Sequence, residues 1–194
     1  IVVFLAKDFV FEVIIFGPLE DWFPTYKFFC SLGEAMCFSP PNLEILPRVL
    51  GEQFLVHIKS SIILGLVIAF PYVFYQIWSF VKPGLYEKEQ KYARGIVFVC
   101  SFLFLSGVVF GFFIIAPFAI TFLGKYTVGA AASNSTSLSS YVSYMTMFTL
   151  PTGIVFELPV VVYFLSKIGL ITPEFMKRYR RHSLVVILVL AAII

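Results

Sequence analysis

Ser79-Phe80-Val81-Lys82-Pro83-Gly84-Leu85-Tyr86-Glu87-Lys88-Glu89-Gln90-Lys91-Tyr92-Ala93-Arg94 is a short charged island between two long apolar runs. Pro83-Gly84 is a helix-stopping pair, because proline cannot donate a backbone bond and glycine weakens the helix around it. Leu85 and Tyr86 come next, apolar or amphipathic residues at the edge of the apolar run. Glu87 and Glu89 then set carboxylates among Lys82, Lys88, Lys91 and Arg94. Two readings fit these residue types. One is a solvated loop whose positive charge fixes membrane orientation. The other is an acidic, aromatic-flanked docking site for a basic peptide.

The runs on either side decide the class. Residues are 60% hydrophobic and 13% charged, where soluble domains carry roughly 25% charged residues. With 24 Phe in 194 residues, the chain reads as an all-α integral membrane protein. The net charge of +3 is too small to argue a nucleic-acid partner. Two His and three Cys match no zinc spacing. Phosphate-cradling glycine loops, HExxH and GxSxG are absent from the sequence, so no cofactor, metal or catalytic residue is expected. No repeat divides the chain, and residues 1–194 read as a single transmembrane domain.

A spanning helix needs about 20 apolar residues at 1.5 Å rise. Residues 54–81, 95–123 and 138–166 meet that length. Residues 1–16 and 184–194 are apolar but too short, and read as parts of a first and a fifth span. Pro71 is expected to kink the second span, Pro117 to kink or end the third, and Pro151 and Pro159 to bend the fourth. Gly107 and Gly111 have the small-xxx-small spacing that lets helices approach closely. His57 and Lys59 stand where they can snorkel at the start of the second span. The connection 17–53 holds Pro24, Pro40, Pro41 and Pro47 with the aromatics Trp22, Phe23, Tyr26, Phe28 and Phe29, a composition suited to a membrane surface. The connection 124–140 is polar, small and flexible in composition.

Orientation follows from the bases, because short loops rich in Lys and Arg stay in the cytoplasm. Connections 17–53, 82–94, 124–140 and 167–183 carry two, four, one and five Lys or Arg. The second and fourth are therefore expected to be cytoplasmic and the first and third external, with the N-terminus in the cytoplasm. The island then faces the cytoplasm. Cys30 and Cys37 face outward, where disulfides persist. Seven residues apart, they form either a small disulfide ring or two buried free thiols. Cys100, inside the third span, is expected to be an unpaired apolar side chain.

Glu157 is the charge inside the fourth run. Counting from either end places it deep in the hydrocarbon, where an ionised carboxylate costs roughly 2.5 kcal/mol or more. Three readings compete. It is protonated and hydrogen-bonded inside the bundle, or it belongs to an ion or proton path, or it faces a groove and meets a polar group of a partner helix. The second reading makes the chain a secondary transporter. A proton path needs further ionisable groups, and no other complete span supplies one deep in the membrane.

Phe80-Val81-Lys82-Pro83-Gly84-Leu85-Tyr86-Glu87-Lys88-Glu89 resembles the F-x-x-P-(A/G)-L-Y-x-x-E loop of the TatC family, the multi-spanning core subunit of the twin-arginine protein translocase. Phe156-Glu157-Leu158-Pro159 resembles that family's fourth-span F-E-x-P motif. Gly169-Leu170-Ile171-Thr172-Pro173-Glu174 resembles its loop before the fifth span, and Arg178-Tyr179-Arg180-Arg181 the basic stretch that follows. The order and spacing match from about Gln53 to Ile194. The resemblance implies a cup-shaped bundle of six spans in the full protein, with the first and fifth shortened and the sixth missing here. It implies no enzyme activity. It implies binding of twin-arginine signal peptides of folded cargo on the cytoplasmic face of a bacterial inner membrane, with Phe80, Pro83, Leu85, Tyr86, Glu87 and Glu89 forming the site and Glu89 meeting the paired arginines. It implies recruitment of single-span TatA- and TatB-type partners at Glu157, transport driven by the proton-motive force, and a homo-oligomer within a translocase complex in the lipid bilayer. The sequence departs from the family's pattern in its long first external connection with two cysteines, and in lacking the cytoplasmic N-terminal segment that supplies a second acidic contact.

Overall fold

The structure, a computed structural model, describes residues 2–32, 39–40, 43–81, 83, 95–126, 135–167 and 185. Three helices among them are long and apolar enough to cross a membrane: Glu52–Val81, Ile96–Lys125 and Leu138–Ser166. Their ends fall within two residues of the sequence expectation. Each runs about 45 Å at 1.5 Å per residue, which matches a bilayer with its headgroups. Only 11%, 28% and 6% of their most apolar windows are buried in protein. Lipid, then, must cover most of these side chains, and the fold is that of a helical membrane protein.

Ahead of these spans come α1 (Val2–Leu5), a π-helical segment Phe9–Ile15, a short 3₁₀ turn Gly17–Leu19 and α2 (Pro24–Leu32). The second span is α3 (Glu52–Val81) and contains Pro71. The third is built of α4 (Ile96–Phe110), a π segment Gly111–Ile115 and α5 (Ala116–Lys125). The fourth is α6 (Leu138–Lys167), with Pro151 and Pro159 inside it.

Pro117 does not end the third span; the helix continues to Lys125. A proline cannot donate to the carbonyl four residues back, here that of Phe113. The backbone just before it opens into the π segment, and the Thr25 hydroxyl donates to the Phe113 carbonyl. A residue of the first connection thus satisfies the acceptor that the proline frees. Next to it, the buried Tyr26 hydroxyl donates to the Pro18 carbonyl at 2.5 Å, and burial raises this phenol above its ordinary range.

Connections 17–53 and 124–140 are joined, which the sequence did not indicate. β1 (Glu44–Leu46) and β2 (Ser135–Ser137) form a parallel two-stranded sheet, with Glu44 opposite Ser135 and Leu46 opposite Ser137. Arg48 Nη2 donates to the Ser135 carbonyl at 3.1 Å and to its hydroxyl at 3.2 Å. Gly51, at φ 80°, turns the chain into α3 in a conformation side chains disfavour. The Glu52 carboxylate then accepts from the backbone N–H groups of Arg48 at 2.6 Å and Ser139 at 2.7 Å. Lys59 Nζ reaches the Ser143 hydroxyl at 2.9 Å, and the His57 ring stacks on Phe4. The buried cluster of Val10, Ile15, Val56, Ala116, Ile120, Tyr141 and Met145 packs at this end. We call it the capped end, and the other the island end.

The third and fourth spans pack through glycine. A Cβ at Gly107 would lie 2.8 Å from Phe156 Cβ and 2.9 Å from Gly153 Cα, so side-chain-free backbone is required there. One at Gly111 would lie 3.0 Å from Thr149 Cα. Phe70 of the second span stacks on Phe104 of the third at 3.7 Å between centroids.

Candidate functional site

Two places carry residues the sequence singles out, and both are at the island end. α3 runs unbroken to Val81, so Phe80 sits in its last turn. It is 85% exposed, a large apolar ring with little protein over it. Pro83, just beyond, is also exposed. Trp78, two residues earlier, is held edge-on against Phe164 of the fourth span at 5.1 Å. Leu85, Tyr86, Glu87 and Glu89 lie outside the described residues, as do Thr172 and Arg178.

Glu157 lies on the fourth span and is half-buried. Its neighbours across the helix interface are the Cys100 thiol and the backbone of Phe104. Cys100 is a buried free thiol. It stands four residues, about 6 Å, inside the start of α4, and Glu157 stands ten residues, about 15 Å, before Lys167. The carboxylate therefore lies in the half of the bundle nearer the island. Phe156, packed on Gly107, holds this turn against the third span. Glu157 Oε1 is buried and has no hydrogen-bond partner among the described residues. A buried oxygen left without a donor is costly unless a partner supplies one.

Among the described residues no group of His, Cys, Asp or Glu could hold a metal ion. Cys30 is disulfide-bonded. Cys37, which the sequence sets opposite it, lies outside the described residues.

Sequence reasoning missed three features. Glu52 was one of five acids in a connection, although its place beside Gly51 at a helix start is where a carboxylate meets free N–H groups. Thr25 had no local signal, but Pro117 announced a carbonyl in need of a donor. An apolar cavity of about 400 Å³ between the π segments and the spans had no signal at all.

Long apolar helices with a cap at one end, and an exposed aromatic and a carboxylate with one unpaired oxygen at the other, define a multi-spanning helical membrane protein built around intramembrane contacts. The profile of the family "Sec-independent protein translocase protein (TatC)" matches residues 1–194. A protein of that name from Blattabacterium sp. subsp. Periplaneta americana is 40% identical over 97% of this chain and 73% of its own length. Another from Helicobacter pylori strain J99 is 43% identical over 74% of this chain, which spans 57% of that relative. A crystal structure of the twin arginine translocase receptor TatC, in detergent, superposes with a TM-score of 0.74 at 31% identity, covering 100% of this chain and 78% of that one. The chain belongs to the TatC family. It is a component of the Sec-independent protein translocase, a transport protein of the membrane, and the secondary-transporter reading of Glu157 is set aside.

Proposed function

We propose that the chain is the signal-recognising subunit of a twin-arginine translocase. The observation that carries this is the charged island placed directly after an exposed helix end, in a chain 31% identical to a twin arginine translocase receptor over its whole length. Phe80, Pro83, Leu85 and Tyr86 offer apolar and aromatic surface to a signal peptide. Glu89, with Glu87 beside it, receives the paired arginines, because a guanidinium and a carboxylate form charge-assisted, often bidentate bonds. The lysine-rich connections place this face in the cytoplasm, with the N-terminus on the same side, in a bacterial inner membrane. Glu157, whose carboxylate lies beside Cys100 and Phe104 of the third span and keeps one oxygen without a partner among the described residues, recruits a polar residue of a single-span TatA- or TatB-type helix. The assembled homo-oligomeric complex moves folded cargo at the expense of the proton-motive force.

The experiment is site-specific crosslinking. A photoreactive residue at position 89, in membranes loaded with a twin-arginine precursor, is expected to give an adduct that disappears when the two arginines become lysines. An adduct indifferent to that change, or none at all, removes the island from recognition.

A further inference from the structure

The cavity at the capped end has no place in that scheme. It measures about 400 Å³, and its wall is drawn from every membrane segment described: Ile15, Phe23, Ser60, Val108, Phe112 and Thr149 among others. Two π-helical segments, Phe9–Ile15 and Gly111–Ile115, supply part of it. Such segments break helical regularity and gather at functional sites. Val13, Trp22 and Val109 in the same wall are exposed, so the cavity opens at the membrane face of the bundle.

Two of the three hydroxyls in its wall, those of Ser60 and Thr149, set it apart. In the fourth span Thr146 donates to Val142 O at 2.8 Å and Thr152 to Phe148 O at 2.6 Å, the usual way a helix satisfies a buried threonine. Thr149, between them, makes no such bond, and its Oγ1 is buried without a partner among the described residues. Ser60, 4% exposed on the second span, is in the same state. Ser61 and Ser101 are also unpaired, but neither lines the cavity. Ser60 is eight residues and Thr149 eleven from the starts of their helices, roughly 12 and 16 Å below the capped end. That is a little inside the hydrocarbon boundary of that leaflet.

We propose that this cavity holds one acyl chain of a bilayer phospholipid, drawn from the leaflet at the capped end, with the chain's ester carbonyl accepting from Ser60 and Thr149. The wall excludes a charged headgroup, because it offers no ion a partner. The volume falls in the range of small-ligand sites, roughly 300–1,000 Å³. A partner helix 10–12 Å across would fit by less than about one turn. An acyl chain satisfies the apolar wall along its length and supplies an acceptor at one end, which an alkane-like plug would not.

Native mass spectrometry of the purified full-length protein, exchanged through vesicles of phosphatidylethanolamine and phosphatidylglycerol, tests this. One phospholipid per chain is expected to survive detergent washing. Val67→Phe, which fills the cavity from the second span, is expected to cut retention about tenfold. Ser60→Ala adds no bulk and removes one donor, so it should cut retention about fivefold, the worth of one hydrogen bond; it keeps the test open if Val67→Phe does not fold. A photoreactive residue at Ile63, in the same wall, should label phospholipid. Equal retention in the parent and Ser60→Ala, or labelling at Ile63 of a precursor peptide in place of lipid, overturns the proposal.

Discussion

Glu52 and Glu157 are both carboxylates drawn into a helix bundle, and they are treated oppositely. Glu52, at the capped end, accepts backbone N–H groups of Arg48, Val49 and Ser139 at 2.6, 3.4 and 2.7 Å. It closes the entry to the second span and the first turn of the fourth with one side chain. Glu157, at the island end, keeps an oxygen without a donor among the described residues. The first arrangement is what a joint requires: a carboxylate whose acceptors are used, on N-terminal amides that favour negative charge. The second has no such set of donors: one oxygen is unpaired among the described residues, and the carboxylate lies beside the Cys100 thiol and the Phe104 backbone. One end of the molecule is held shut; at the other, the proposed function has the polar groups serve partners.

Removing the joint should have the largest effect. Glu52→Ala frees three N–H groups at once, two at the α3 entry and one at the start of α6. It is expected to lower the melting temperature of the detergent-solubilised protein by roughly 10 °C, and Glu52→Gln by less, since an amide oxygen still accepts. Circular dichroism melts check this. A Glu52→Ala protein as stable as its parent would break the comparison at its firmer end.

The island end is predicted to show the reverse pattern, a loss of binding with stability kept. Glu89→Gln removes one charge and keeps shape. Losing a charge-assisted pair of about 2 kcal/mol should weaken twin-arginine peptide binding about 30-fold, with an unchanged melt. Equilibrium binding of a fluorescent signal peptide measures it, and full affinity in the variant would move recognition away from Glu89. Glu157→Leu sharpens the contrast further. It keeps bulk and removes an unpaired polar oxygen, so the melting temperature should not fall. Co-purification of a single-span partner should drop about tenfold, in line with one intramembrane hydrogen bond. Glu157→Gln should keep part of that recruitment. A Glu157→Leu protein that melts well below its parent would make this carboxylate a second joint.

What the sequence made legible follows the same division. The three long spans were readable because about twenty uncharged, apolar residues in a row form little besides a membrane-crossing helix. Their ends, except the start of the fourth at Leu138, were marked by charge or by Pro83-Gly84. The island and Phe156-Glu157-Leu158-Pro159 stood out because rare residue types lie there against an apolar background. The cap was not. β1 and β2 are three residues each and lie about ninety apart in sequence, and Ser135-Thr136-Ser137 has no alternation to reveal a strand. Glu52 looked like any acid in a polar connection, because its partners are backbone groups, which every residue carries. The π segments are five and seven residues long, too short for a period to show. Contacts between backbone and distant side chains leave no local pattern, and the capped end is made of such contacts.

Thr25 gives the smallest predicted effect and the most specific one. Its hydroxyl donates to the Phe113 carbonyl, the acceptor that Pro117 leaves free. Thr25→Val keeps the shape and removes the donor, so it should cost about 1 kcal/mol, the worth of a single neutral bond. That loss alone could come from any local disturbance, so a second variant is needed. Pro117→Ala restores a backbone N–H that can bond the same carbonyl, although losing the buried ring carries its own packing cost. In a double-mutant cycle the two changes should be less than additive, because in the double variant the carbonyl has its donor back. The coupling should be about as large as the Thr25→Val loss itself. Strict additivity would mean that the first connection does not brace the third span at Pro117.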